Sequence, residues 1–197
     1  MPITIRPERP EDIDAISRVT AAAFGRDLEA RIVTRTRASD NFVPELSLIA
    51  EENGEIVGHV MVSYATLMPH PSGWGREPSA SEEQPKPRRI LILGPISVDP
   101  PRQNDGIGGA LMRRAIEVAD AMGEPAIVLV GHPTYYPRFG FESARALGIE
   151  PPSPEIPDAP WMARKLSHYD PSFRGRVVSP PPFADAEGVP APGRAQP

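Results

Sequence analysis

The sequence predicts an α/β (α+β) fold in which a mixed β-sheet is flanked by helices. Short apolar runs rich in β-branched residues predict the strands. Longer segments that repeat apolar residues at helical spacing predict the helices. The predicted order is a strand, two helices, three strands, a helix, a strand, a short helix and a last strand. This order implies a mixed sheet covered by helices.

The first part of the chain is predicted to form one strand and two helices. Residues 3–6 read as a short strand. Apolar residues then recur at helical spacing up to Phe24, and Asp12 stands near the start of this first helix. A second, weaker helix is predicted over residues 28–37.

A β-hairpin and a long loop are predicted next. Residues 46–51 and 56–67 predict two strands, because both are rich in aliphatic and β-branched residues. Asn53-Gly54 between them favours the positive φ angles of a tight hairpin turn. Residues 69–88 are polar and broken by prolines, which predicts a loop insertion before the strand at residues 90–98. This insertion either shapes a substrate pocket or is disordered.

The remaining helices and strands are predicted after that loop. Residues 106–122 carry one apolar stripe at helical spacing and predict an amphipathic helix. Residues 126–130 predict a buried strand, and residues 134–139 predict a short helical turn. A last strand is predicted over residues 161–166.

Length and composition indicate one domain with a trailing extension. The chain has 197 residues, of which 40% are hydrophobic. We assign residues 1–170 to the main domain and residues 171–197 to a Pro-rich C-terminal extension, which we expect to be mobile past residue 180. No apolar stretch reaches the roughly 18 residues of a membrane span, and the first residues lack the features of a signal peptide. We therefore expect a cytoplasmic protein.

The composition also excludes several classes of chemistry. The chain has no cysteine, which removes disulfides, thiolate–metal sites and cysteine nucleophiles. Its four histidines are dispersed, so no metal site is predicted. A net charge of -5 gives no broad attraction for nucleic acid, which is not favoured as a partner.

The segment from residue 90 to residue 111 carries the strongest functional signal. A buried strand is followed by a turn and then by a glycine-rich entry into a helix. The start of a helix exposes unpaired backbone N–H groups and the positive end of the helix dipole, and both attract phosphate. Because Gly106, Gly108 and Gly109 have no side chains, a bulky pyrophosphate can approach this backbone closely.

Two other kinds of glycine-rich phosphate loop do not fit this segment. A nucleotide-triphosphatase loop needs Gly-Lys-Ser/Thr at its end, whereas Gly108 is followed by Gly109 and Ala110. A dinucleotide fingerprint needs a third glycine where Leu111 stands. A helix that simply begins with small residues remains the alternative.

Several motifs around this segment resemble those of one family. The hexapeptide Gln103-Asn104-Asp105-Gly106-Ile107-Gly108 matches the acetyl-CoA signature (Q/R)-x-x-G-x-(G/A). The strand Ile96-Ser97-Val98 before it, and Tyr136 four residues before Gly140 after it, are similar to further elements of that family. On these residues the chain resembles the GCN5-related N-acetyltransferase (GNAT) superfamily, most closely its YhbS-type branch. The resemblance spans residues 5–183 and implies a mostly antiparallel sheet.

The resemblance implies a binding site for acetyl-CoA and no metal. The strand would pair with the pantetheine arm, and the glycine-rich loop would hold the phosphates. The implied contacts are Ile96, Ser97, Val98, Gln103, Asn104, Asp105, Gly106, Ile107, Gly108, Gly109 and Arg138. The sequence departs from the family pattern after the late strand, where residues 131–134 replace the usual asparagine.

The resemblance also implies catalytic roles for two residues. Tyr136 would stand near the thioester sulfur and protonate the departing thiolate. Because an unperturbed phenol has a pKa of about 10 and an unperturbed thiol a pKa of about 8.5, this transfer is uphill by only about 2 kcal/mol. Tyr135 is the alternative donor, and either tyrosine could instead be a packed aromatic residue. His132 is a candidate base for the amine, with a structural role in the turn as its alternative.

The sequence therefore predicts an N-acetyltransferase acting by direct attack in a ternary complex. The acetyl group would pass from acetyl-CoA to an amine of a small molecule or peptide. Because His132 is not a clear base, a non-catalytic acyl-CoA-binding sensor or interaction module stays open as the alternative. No membrane partner is predicted, and a homodimer is left open.

Overall fold

A nine-stranded mixed sheet forms the centre of the computed structural model, which describes residues 3–69 and 86–186. The strands are β1 Thr4–Pro7, β2 Ser47–Glu52, β3 Glu55–Met68, β4 Arg88–Val98, β5 Ala126–Val130, β6 Glu142–Ser143, β7 Ile149–Glu150, β8 Trp161–Lys165 and β9 Gly175–Val178. The α-helices of the described residues are α1 Ile13–Phe24, α2 Leu28–Arg37 and α3 Ile107–Ala121.

The strand order of the sheet is β1-β2-β3-β4-β5-β8-β6. Neighbours along this path are antiparallel except β4 and β5, which run parallel. Strand β9 pairs with the end of β3 and runs parallel to β7. A helix lies between β4 and β5 in the chain, as a parallel connection requires. The predicted mixed, mostly antiparallel sheet flanked by helices is confirmed.

Local sequence signals account for the boundaries of several elements. Asn53 and Gly54 have φ angles of 54° and 82°, and they form the predicted turn between β2 and β3. The helix α1 ends at Gly25, which adopts a left-handed φ of 67°. The bounds of α2 and β5 coincide with the predicted ranges.

The core has two sides, one on each face of the sheet. On one face, α3 packs its apolar stripe against strands β2 to β5. On the other face, Ile16 of α1 and Val33 of α2 pack against Ile49 and Met61 of the sheet. Trp161 is fully buried on that second side, within a cluster that includes Phe173.

The short strands β6, β7 and β9 do not appear in the sequence prediction. Two-residue strands are too short to show an alternating pattern, and β9 lies in the Pro-rich extension. Through β9 the extension joins the sheet at β3, and a 3-10 helix at Pro181–Ala186 follows. Most of the predicted insertion, residues 70–85, and most of the predicted tail, residues 187–197, lie outside the described residues.

No helix in the described ranges is long and apolar enough to cross a membrane. In the same ranges, no group of three His, Asp or Glu side chains is arranged to hold a metal ion.

Candidate active site

The parallel strands β4 and β5 separate in the middle of the sheet. They pair at two positions, Leu91 with Ile127 and Ile92 with Val128. Strand β4 continues to Val98, still paired with β3, but without a further partner on β5. A split therefore opens between the two strands beyond Ile92, and it leaves one edge of β4 unpaired among the described strands.

A β-bulge in β4 lies where this split begins. Val60 pairs with Ile96 and Val62 pairs with Leu93, so Gly94 and Pro95 both lie opposite a single residue of β3. A bulge bends its strand and redirects the backbone, and bulges often lie beside active sites. Proline also lacks a backbone N–H, which suits a position without a ladder partner.

The backbone beyond the bulge directs polar groups into the split. Asp99 donates its backbone N–H to the carbonyl of Val57 on β3 at 2.9 Å. Because antiparallel pairs alternate in the direction of their hydrogen bonds, Ile96 and Val98 present their N–H and C=O groups away from β3. The side chain of Gln103 donates to the carbonyl of Val98 at 3.2 Å, which agrees with this direction.

The start of α3 lies directly after this edge of β4. Asn104 and Gly106 adopt left-handed φ angles of 72° and 81°, and they turn the chain from the strand into the helix. The side chain of Ile107 is buried in the core and anchors the first turn. No side chain of the described residues caps the helix, so its first N–H groups remain available to an anion.

Arg102 holds the turn between β4 and α3 in place. Its guanidinium bonds to Glu52 at the end of β2 and, at 2.9 Å, to Asp105. The bond to Arg102 keeps the pKa of Glu52 below its usual range. Arg102 is therefore paired with two carboxylates. One of them belongs to Asp105, a predicted cofactor contact.

Two further arginines lie beside the start of α3. A Cβ added at Gly109 would lie 3.5 and 3.6 Å from the guanidinium nitrogens of Arg113. The guanidinium of Arg138 lies 4.6 Å from the ring centre of Tyr135. Burial raises the pKa of Tyr135, while both arginines act to lower it. The start of the helix is thus flanked by two exposed positive charges, of which the sequence analysis identified only Arg138.

Tyr136 is buried at the end of β5. It begins a 3-10 helix, Tyr136–Phe139, and its side chain is 8% exposed. The ring makes edge contacts with Tyr135 and Phe141, and a Cβ at Gly131 would overlap it. Burial, and secondarily Tyr135, raises the pKa of the Tyr136 hydroxyl above its usual value. At neutral pH this hydroxyl is protonated and can donate.

His132 lies at the surface, just after β5. Its Nδ1 is 3.2 Å from the hydroxyl of Thr134, and no carboxylate of the described residues bonds to the ring. Its carbonyl accepts the backbone N–H groups of Tyr135 at 3.0 Å and Tyr136 at 3.4 Å. The backbone of His132 thus closes the turn that positions both tyrosines.

These features match a known family. A family model described as the Acetyltransferase (GNAT) family matches residues 14–141, which include the whole of α3, the glycine-rich turn and Tyr136.

The chain belongs to the GNAT acetyltransferase family. Among curated proteins, this GNAT protein is 33% identical over 169 residues to the N-acetyltransferase YjhQ of Escherichia coli (strain K12), covering 84% of this chain and 86% of YjhQ. It is 28% identical over 141 residues to the N-acetyltransferase YhbS of the same strain, covering 71% of this chain and 74% of YhbS.

Two solved structures show the same fold. The crystal structure of YhbS from Escherichia coli, in complex with CoA, has a TM-score of 0.73 at 22% identity and covers 98% of this chain and 96% of YhbS. A GNAT family acetyltransferase from Brucella melitensis, in complex with acetyl-CoA, has a TM-score of 0.66 at 30% identity. The match covers 92% of this chain and 98% of the Brucella protein. The predicted family is confirmed, YhbS is among the similar proteins, and the chain is an acyltransferase of this family.

The structure brings most of the predicted site residues to one region. The glycine-rich turn follows the β4 edge, both tyrosines pack with the core cluster beneath α3, and Arg138 lies against Tyr135, whereas the ring of His132 points to a surface hydroxyl. Sequence analysis missed Arg113, although it lies one helical turn after Gly109 and helical spacing could have identified it. It also missed Gly94, whose role depends on a register that the sequence does not reveal.

Proposed function

We propose that this GNAT protein binds acetyl-CoA along the β4 side of the split and transfers the acetyl group to an amine of a small molecule or peptide. One observation carries the proposal: the unpaired edge of β4 leads directly to the uncapped start of α3. An extended amide chain ending in a pyrophosphate needs both features in this order. The CoA and acetyl-CoA in the two similar structures support the same assignment.

The residues present fit each part of such a molecule. The outward-facing backbone groups of Ile96 and Val98 suit the two amides of a pantetheine arm. The first N–H groups of α3, reached past Gly106 and Gly109, suit the pyrophosphate, with Arg113 and Arg138 as flanking positive charges. Hydrogen bonds to charged groups contribute about 1.5–3 kcal/mol each, so three or four of them would anchor the nucleotide.

Tyr136 is the proposed proton donor. In the proposed reaction the amine nitrogen forms a bond to the acetyl carbon as the carbon–sulfur bond breaks, and Tyr136 protonates the departing thiolate. Burial raises the pKa of Tyr136, so the transfer costs more than ordinary pKa values imply. A thiolate desolvated in the same site is a stronger base than in water, which offsets part of that cost.

The route for the amine proton is a separate part of the proposal. His132 is the proposed base, and Thr134 is the side chain that orients its ring. The alternative is a water chain that leads from the split to solvent and takes the amine proton in place of His132. His132→Gln separates the two routes: a fall in kcat at pH 7 supports the base, and an unchanged kcat supports water.

Calorimetric titration with acetyl-CoA tests the proposal. We expect micromolar binding to the native protein and no binding to Gly108→Glu, because a bulky charged side chain in the buried first turn of α3 would disrupt the close approach of a pyrophosphate. Ala121→Glu is the matched control, because it adds the same charge at the exposed far end of α3. Arg113→Glu is a second variant that leaves the glycine backbone intact. No binding to well-folded native protein would overturn the proposal.

Turnover separates the enzyme from a non-catalytic acyl-CoA-binding module. Release of free CoA thiol from acetyl-CoA, measured across a panel of primary amines, is expected to depend on the amine.

We also propose a cytoplasmic location, which cell fractionation would test. Sedimentation analysis would decide whether the protein is a homodimer.

A further inference from the structure

The segment after β9 returns to the split. It crosses to α2 and forms the 3-10 helix Pro181–Ala186. There the ring of Phe183 lies directly against β4 at the bulge, because a Cβ added at Gly94 would lie 3.2 Å from the ring's Cζ. The same added atom would lie 3.3 Å from the carbonyl oxygen of Met61. Glycine at position 94 therefore lets the ring lie against the backbone of β4.

Phe183 lies on the face of the sheet opposite α3. Side chains alternate along β4: Leu91 and Leu93 belong to the cluster beneath α3, whereas Ile90 and Ile92 belong to the cluster on the other face. Phe183 packs against that second cluster. The ring thus covers the bulge from the face that α3 leaves open.

Val130 borders the split on the same face. Its strand neighbours Ala126 and Val128 belong to the cluster opposite α3, and alternation places Val130 on that side too. The side chain is 46% exposed, although it is a large apolar residue at the end of a central strand. The split is therefore lined on this face by apolar groups from β5 and from the C-terminal segment.

We propose that Phe183 is a specificity residue that limits the acyl group to a short chain, an inference that rests on the proposed acetyl-CoA site. An arm that runs from the start of α3 along Val98 and Ile96 brings its sulfur to the bulge. Beyond the bulge, β4 and β5 are paired at Ile92 and Val128, so the sheet itself is closed. On the α3 side, buried side chains of the core pack against β4. Among the described residues, an acyl chain would therefore extend through the opposite face, where the ring of Phe183 lies.

Removal of the ring would lengthen this pocket. Phe183→Ala deletes the side chain that covers Gly94, while the β4 edge and the start of α3 are left unchanged. Each methylene group that enters the opened space contributes about fourfold in affinity. Phe183→Leu keeps part of the apolar volume and is expected to have an intermediate effect.

The test is a calorimetric titration of the full chain with acetyl-CoA, butyryl-CoA and octanoyl-CoA. The native protein should bind acetyl-CoA at least about tenfold more tightly than octanoyl-CoA. In Phe183→Ala the ratio of the two affinities should shift by at least about tenfold towards octanoyl-CoA, with acetyl-CoA affinity within about twofold of native. Val178→Ala, which shortens an exposed apolar side chain on β9, is the matched control and should leave the ratio unchanged.

The possible failures are distinguishable. If the native protein binds no acetyl-CoA, the proposed function fails. If it binds acetyl-CoA but Phe183→Ala and Phe183→Leu keep the native ratio of affinities, this inference alone is overturned. A thermal melt of each variant shows whether it is folded. If Phe183→Ala does not fold, the ratio of affinities in Phe183→Leu is the test. A ratio that changes equally in Val178→Ala would also overturn the inference.

Discussion

Tyr136 and Tyr135 are neighbours in sequence, but their environments differ. Tyr136 is buried against Gly131 and Phe141, whereas Tyr135 is partly exposed and lies beside two arginines. Any phenol is protonated at neutral pH, and burial raises the pKa of Tyr136 and makes it a weaker acid. Its fixed position in the buried turn, and not its acidity, therefore supports the role of proton donor.

Tyr136→Phe is expected to lower kcat by about a hundredfold, since a positioned general acid contributes about 10²–10⁴-fold. The dissociation constant for acetyl-CoA should stay within about twofold, because the phenyl ring keeps the packing. Thiol release and calorimetry measure the two quantities. Tyr135→Phe is the control and should retain most of kcat. Equal losses in both variants, or a loss confined to binding, would remove Tyr136 from the proposed role.

The residues of the site differ in how far the sequence predicts them. The glycine-rich turn is predictable because its spacing and its need for a bare backbone are both local properties. Tyr136 is identified by its spacing from Gly140, but its burial depends on Gly131 and on the fold. Phe183 stands in a segment where the sequence suggests little to bury, and its contact with Gly94 joins positions far apart in the chain.

At the scale of elements, the hairpin joins β2, which lies next to the edge strand β1, to β3. Gly54 has a φ of 82°, and no other atom would lie within 4 Å of a Cβ added there. Gly54→Ala therefore tests backbone strain without a steric clash. We expect it to lower the free energy of unfolding by about 1–2 kcal/mol, the cost of the left-handed conformation for an L-residue.

Urea denaturation measures this loss. Gly54→Asn is the matched control, because asparagine tolerates the left-handed region better than alanine and should lose less stability. If alanine and asparagine cost the same, strain in this turn does not govern the hairpin.

The elements that the sequence predicts well are those with enough residues to show a period. The helices α1 and α2 and the strands β2 to β5 each carry an apolar pattern over at least five positions. Strands β6 and β7 have two residues each, and their pairing depends on neighbours that the sequence does not identify. The separation of β4 from β5 is likewise a property of the assembled sheet.

At the scale of the whole molecule, one buried polar network joins four elements. Glu8, just after β1, accepts hydrogen bonds from Arg37 at the end of α2 and from Ser47 at the start of β2. His59 of β3 is fully buried, with its Nε2 3.0 Å from the Ser47 hydroxyl and 3.5 Å from Glu8. Because Ser47 donates to Glu8, His59 donates from Nε2, and its buried Nδ1 has no partner among the described residues.

This network opposes protonation of both ionisable partners. Burial lowers the pKa of His59 below 6.5 despite the nearby Glu8, and a proton on Nδ1 would find no acceptor. Burial alone would raise the pKa of Glu8, but the hydrogen bonds from Arg37 and Ser47, together with the His59 ring 3.5 Å away, outweigh it and lower the pKa from 4.5 to about 2.

Both shifts predict a loss of stability in acid. A group whose pKa is lowered by folding stabilises the protein above its unfolded pKa, and that stabilisation disappears as the pH falls towards the folded pKa. His59 should therefore give a fall in the free energy of unfolding that begins near pH 6.5, with a slope of up to about 1.4 kcal/mol per pH unit. The contribution of Glu8 begins near pH 4.5 and amounts to about 3 kcal/mol when complete.

His59→Gln isolates the first of these contributions. A glutamine amide can still donate to Ser47 but takes up no proton, so the slope between pH 6.5 and pH 4.5 should disappear while the slope below pH 4.5 remains. Urea denaturation of the native protein and the variant at half-unit pH steps measures both slopes. His168→Gln, which removes an exposed histidine, is the control and should retain the native profile. If the native protein and His59→Gln lose stability in parallel from pH 6.5 downward, the buried histidine is not the group that couples these four elements to pH.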